Sequence, residues 1–81
     1  LKRKVIEKCT SKLKQEIIEK YTVTDSDGIR FSLNDGWVLV RASGTEPSIR
    51  VTAEARTSSR LKELFEMSTR LCKAAVQDVQ S

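Results

Sequence analysis

Eighty-one residues allow one domain with a small core, because a chain this short buries only roughly 60% of its extended surface. Fifteen Lys and Arg against eleven Asp and Glu give a net charge of +4, which favours anionic partners but leaves nucleic acid, an acidic membrane surface and a sugar phosphate all open. The absence of histidine excludes His-based nucleophilic catalysis, the lack of Cys-x-x-Cys argues against zinc, and no apolar run is long enough to cross a bilayer or reads as a signal peptide.

Residues 1 to about 20 form the first predicted helix. Leu1, Val5, Ile6, Cys9, Leu13, Ile17 and Ile18 recur at three and four and make one apolar stripe. Lysines and Glu7, Glu16 and Glu19 occupy the other face, which we read as solvated. The opening Leu1-Lys2-Arg3-Lys4 puts positive charge where a helix N-terminus disfavours it. With no initiating methionine, this suggests a piece of a longer polypeptide.

Tyr21-Thr22-Val23-Thr24 predicts a short strand, and Asp25-Ser26-Asp27-Gly28 a turn in which Gly28 takes positive φ. Ile29 to Leu33 alternates, with Ile29, Phe31 and Leu33 inward. Asn34-Asp35-Gly36 is a strong hairpin signal. Trp37 to Ala42 is apolar on both faces and reads as a central strand. Ile49 to Ala55 alternates again, with Arg50, Thr52 and Glu54 on the face opposite Ile49, Val51, Ala53 and Ala55.

Arg56-Thr57-Ser58-Ser59 links to a second helix over residues 60 to about 78, with Ser58 or Ser59 as its N-cap. Leu61, Leu64, Phe65, Ser68, Leu71, Cys72, Ala75, Val76 and Val79 make its apolar stripe, and residues 77–81 are expected to fray. Cys9 and Cys72 are expected as buried small residues and not as a disulfide. Of the four aromatics, Phe31, Trp37 and Phe65 are assigned to the core and Tyr21 is left outside it, which leaves little for a base-stacking platform. Helix, four antiparallel strands and helix, with both helices on one face of the sheet, is the simplest α+β solution.

The chemistry concentrates between the last two strands. Ser43 to Ser48 is longer than the two-residue turn a hairpin needs. An arginine stands near each end, Arg41 and Arg50. Between them lie the hydroxyls of Ser43, Thr45 and Ser48, the exposed backbone of Gly44, and Pro47, which stiffens the exit. Guanidinium forks, hydroxyls and amides suit a dianionic oxyanion such as phosphate. Read from the residues alone, Arg41 and Arg50 fit two roles: an anion site, or surface strand residues paired with Glu46 or Glu54. No Gly-x-x-x-x-Gly-Lys-Ser/Thr pattern is present, and the loop joins two strands, so an ATP-binding P-loop is excluded.

Arg-Ala-Ser-Gly-Thr-Glu-Pro-Ser-Ile-Arg, preceded by Asp-Gly-Trp-Val-Leu-Val and followed by Val-Thr-Ala-Glu-Ala, resembles the phosphate-binding loop of the α-D-phosphohexomutases. The resemblance covers nearly the whole chain. It implies residues 1–81 as a single C-terminal domain of a larger multidomain enzyme, with a layout like that of TATA-box-binding-protein halves. It further implies that Arg41, Ser43, Gly44, Thr45 and Arg50 hold the non-reacting phosphate of a hexose phosphate, while Glu46 and Pro47 shape the loop. By the same resemblance the parent moves a phosphoryl group between the 1- and 6-positions of the sugar, is cytoplasmic, and uses a phosphoserine and Mg2+ held in other domains. This chain alone is then expected to be inactive. The competing reading is a basic module that binds nucleic acid or another anionic partner without catalysis.

Overall fold

The computed structural model describes residues 2–25, 28–42 and 49–80. Helix α1 (Lys2–Glu16) is followed by strands β1 (Tyr21–Asp25), β2 (Ile29–Leu33), β3 (Gly36–Ala42) and β4 (Ile49–Ala55), and by helix α2 (Ser58–Gln80). The strands form one antiparallel sheet in the order β1-β2-β3-β4. This is the expected α+β fold, with both helices on one sheet face. Helix α1 packs on α2 and β3, and α2 packs on β3 and β4.

The core follows from the two periodicities. Val5, Cys9 and Leu13 of α1, and Ile17 just past its end, recur at every fourth residue and are all buried. Phe31, Val38 and Val40 meet them from the sheet, and Leu64, Leu71, Cys72 and Ala75 from α2. Across the strands, Phe31 pairs with Val38 and Val38 with Ala53, so alternate residues of neighbouring strands share the helix-covered face.

Several expectations change at the edges. Helix α1 ends at Glu16 and not near residue 20. The Ile17 amide still donates to the Leu13 carbonyl at 2.9 Å, after which the chain reverses into β1 and leaves Ile18 92% exposed. The N-cap of α2 is Thr57, whose Oγ1 accepts the Arg60 amide at 3.1 Å. That helix runs to Gln80 instead of fraying from residue 77. Leu61 and Phe65, assigned to the stripe, are 38% and 45% exposed. Leu61 lies in the first turn of the helix and Phe65 is rotated about 100° from the buried Leu64, so the buried arc is narrower than the stripe.

The aromatics also exchange places. Tyr21 packs on Phe31, ring centroids 5.4 Å apart, on the core side. Trp37 lies on the open sheet face, with the Arg30 guanidinium 4.5 Å from its ring centroid. Trp37 pairs with Ser32 and Glu54, so its register puts it on the polar side.

Cys9 and Cys72 are buried as expected, but the structure joins them as a disulfide, with Cα atoms 5.2 Å apart. Both stripes converge where α1 crosses α2, and two core positions that face each other at that spacing suit the bond.

The β2–β3 hairpin closes with Leu33 opposite Gly36 around Asn34 and Asp35. Among the described residues only Gly28 has positive φ, so this turn needs none. Gly36 is required for a different reason: a Cβ there would collide with the Glu54 carbonyl and with Ala55 of β4. Arg60 clamps this end of the sheet. It pairs with Glu19 at 2.6 Å, with Asp35 at 3.0 Å, and with Glu63. Burial pulls its guanidinium pKa down, but the hydrogen bonds to Glu19 and Glu63 and the nearby Asp35 more than offset this and hold it above its ordinary value.

Candidate functional site

The site is built at the opposite end of the sheet from Arg60. Strand β3 delivers Arg41 and strand β4 delivers Arg50, and the two are Cα partners in the ladder. Both are exposed. They fall on the face that also carries Leu39 and Thr52, away from the helices, because Val40 and Val51 take the core side. The strand period and the β3–β4 register therefore bring two guanidinium groups together at the mouth of the connection.

Like charges directly opposite each other in a sheet are destabilising. Arg50 makes no ion pair among the described residues, and Glu54, four residues further along the same face, does not neutralise it. The pairing of Arg50 with Glu54 that the residues alone allowed is therefore not formed. Ser43, Gly44, Thr45, Glu46, Pro47 and Ser48 lie outside the described residues.

A residue that sequence reasoning treated only as a turn former belongs to this end too. Gly28 has φ 98°, and a Cβ on it would stand 2.7 Å from Arg41 Cγ and 2.7 Å from the Val40 carbonyl oxygen. The aliphatic stem of Arg41 thus lies over the backbone of Gly28. Positive φ made the glycine legible from its turn string, but its contact with Arg41 appears only when β2 and β3 pair.

Beside Arg41 lies a cavity of about 810 Å3 between α1 and the ends of the strands. Among the described residues no helix is long and apolar enough to cross a membrane, and no three Asp, Glu, Cys or His side chains are grouped to hold a metal ion.

A family model described as "Phosphoglucomutase/phosphomannomutase, C-terminal domain" matches residues 2–71. A phosphopentomutase of Thermococcus kodakarensis is 52% identical over 67 residues, 82% of this chain and 14% of that protein. A probable phosphoglucosamine mutase of Methanosarcina acetivorans is 43% identical over 77 residues, 85% of this chain and 17% of its own length. Another from Methanopyrus kandleri is 41% identical over 81 residues, 89% of this chain and 18% of that protein. The chain thus spans less than a fifth of these relatives. With the family match running from the first turn of α1 through all four strands into α2, the chain belongs to the phosphoglucomutase/phosphomannomutase C-terminal domain family.

Proposed function

We propose that this domain holds the non-reacting phosphate of a phosphosugar for a mutase whose other domains carry the chemistry. The observation that carries the reading is the direct opposition of Arg41 and Arg50 at the loop mouth. A dianion between the two guanidiniums can take two charge-assisted contacts, each worth roughly 1.5–3 kcal/mol. Ser43, Gly44 and Thr45 would complete the cradle with hydroxyl and backbone donors, while Glu46 and Pro47 shape it. Holding the distant phosphate positions the reacting end, so binding energy remote from the chemistry lowers the barrier. The isomerising phosphoryl transfer, its phosphoserine and its Mg2+ are assigned to the rest of a cytoplasmic parent enzyme, and this chain by itself has no mutase activity.

The nucleic-acid reading is weaker. Trp37 on the open face is already covered by Arg30, and Tyr21 is packed on Phe31, so the sheet presents no row of stacking rings.

The test is an NMR titration of the chain with inorganic phosphate. Amide shifts should centre on Arg41, Ala42, Ile49 and Arg50, with a Kd on the order of millimolar, about −4 kcal/mol. Arg41→Ala or Arg50→Ala should weaken binding by about tenfold or more. Shifts spread over α1 instead, or affinity unchanged in both variants, would refute the assignment.

A further inference from the structure

The hairpin between β2 and β3 carries a chemical liability that the packing itself imposes. Gly36 opens β3, and a Cβ there would collide with the Glu54 carbonyl and with Ala55, so a larger residue does not fit. The residue before it is Asp35. In an Asp-Gly pair the glycine leaves its own amide nitrogen unshielded and the peptide unit free to turn. That nitrogen can attack the side-chain carboxyl carbon of the aspartate. A C–N bond forms, the amide proton and the carboxyl OH leave together as water, and the product is a five-membered succinimide. Water then opens the ring at either carbonyl. One opening restores aspartate. The other gives isoaspartate, in which the main chain runs through the former side chain and is one atom longer.

Ring closure requires an eclipsed χ1 and a ψ outside the common basins, so Asp35 must turn at both bonds. The structure restrains both. The Asp35 carboxylate pairs with Arg60 Nε at 3.0 Å, and the Asp35 carbonyl accepts the Arg56 amide at 3.0 Å. Arg60 is itself fixed by Glu19 at 2.6 Å and by Glu63, so the carboxylate is tied to an anchored partner. Both restraints come from the segment that enters α2, and they exist only when that helix is docked beside the hairpin.

We propose that Asp35-Gly36 is a latent isomerisation site and that Arg60 keeps it unreactive by pinning the Asp35 carboxylate. The clamp then protects the covalent structure of the hairpin as well as its stability. Isoaspartate at position 35 would lengthen the chain where Gly36 pairs with Leu33 and lies against Ala55 of β4, so it would disturb the turn and its neighbour strand together.

The chain is aged at neutral pH and body temperature, folded and in urea, and then digested with trypsin. Cleavage after Lys20, Arg30 and Arg41 releases residues 21–30 and 31–41 as separate peptides. Chromatography with mass spectrometry resolves their aspartate, succinimide and isoaspartate forms. The first peptide reports general loosening, because it carries the other Asp-Gly pair, Asp27-Gly28. In the unmodified folded chain Asp35 should isomerise about tenfold more slowly than in urea, or slower still. Arg60→Ala should speed it by roughly five- to tenfold, because the open fraction of the turn rises when its restraint is lost. Arg60→Lys should fall between, and residues 21–30 should isomerise at one rate in all three folded chains. If Arg60→Ala fails to fold, Arg60→Lys carries the same comparison alone. Asp35 isomerising as fast in the folded chain as in urea, or no faster in either variant than in the unmodified chain, overturns the proposal. A parallel rise of both peptides in Arg60→Lys also overturns it, since loosening of the whole fold would then be the cause.

Discussion

Arg41 and Arg50 face each other across the β3–β4 ladder, Cα opposite Cα, on the sheet face that the helices leave open. Arg50 makes no ion pair among the described residues, and a phosphate bound at the loop mouth would supply it with one. Arg50→Ala should therefore leave stability in phosphate-free buffer unchanged or raise it by up to about 1 kcal/mol. At roughly ten times its Kd, phosphate should stabilise the unmodified chain by about 1.4 kcal/mol and the variant far less. Thermal melts with and without phosphate read both effects. A variant stabilised by phosphate as much as the parent chain would remove Arg50 from the site.

Gly28→Ala strains a backbone at φ 98° and drives a methyl group into Arg41 Cγ and the Val40 carbonyl. We expect a loss of about 1–3 kcal/mol, measured by urea unfolding. Because the clash falls on the stem of Arg41, phosphate affinity should drop as well. A destabilised but fully phosphate-competent variant would show that Gly28 serves the turn alone.

Arg60, in the first turn of α2, joins the α1–β1 connection and the β2–β3 turn through Glu19 and Asp35, and also pairs with Glu63 of its own helix. Its partners are largely exposed, so each pair by itself is worth little. The network as a whole should make Arg60→Ala about 1–2 kcal/mol less stable. Arg60→Lys should recover only part of this, since an ammonium cannot fork to three carboxylates. Phosphate binding at the far end of the sheet should be untouched in both, which an NMR titration would check.

The Cys9–Cys72 bond closes a span of 63 residues between the two helices. Chain-entropy arguments place such a cross-link at about 4 kcal/mol. Unfolding in reducing and non-reducing buffer should differ by about 2–4 kcal/mol, and Cys72→Ser should abolish the difference. Identical unfolding curves would show that the helices hold without the bond.

Acid should loosen the molecule. Glu19 is held below its ordinary 4.5 by its own backbone amide and then by Arg60, and Asp78 below 3.8 by its hydrogen bond to Lys12. Carboxylates lowered in the folded state contribute stability above their ordinary values and lose it as pH falls through the lowered ones. The urea midpoint should therefore drop between about pH 5 and pH 3, less steeply in high salt because both groups are exposed. Glu19→Gln should flatten part of that slope. A midpoint that rises on acidification would contradict the assignment.

The elements, their order and their pairing were legible because each carries a local signal. The period of four from Val5 to Ile17, the alternation of Ile29, Phe31 and Leu33, and the Asn34-Asp35-Gly36 string all act over a few residues. The two arginines were legible for the same reason, since a hairpin forces the residues flanking its loop together. What failed was burial near element ends. Trp37 and Phe65 look like core by hydrophobicity, while Tyr21 looks polar, and only the strand register and the side that α2 turns to the sheet decide which of them are covered.

By itself, then, the amino-acid sequence determined the α+β layout and the place of Arg41 and Arg50, because short-range periodicity and turn chemistry specify secondary structure and hairpin partners. Tertiary structure decided the Cys9–Cys72 bond, the contact of Gly28 with Arg41 and the Arg60 clamp. These join residues distant in the chain, and their distances are set only when α1, α2 and the sheet pack around one core.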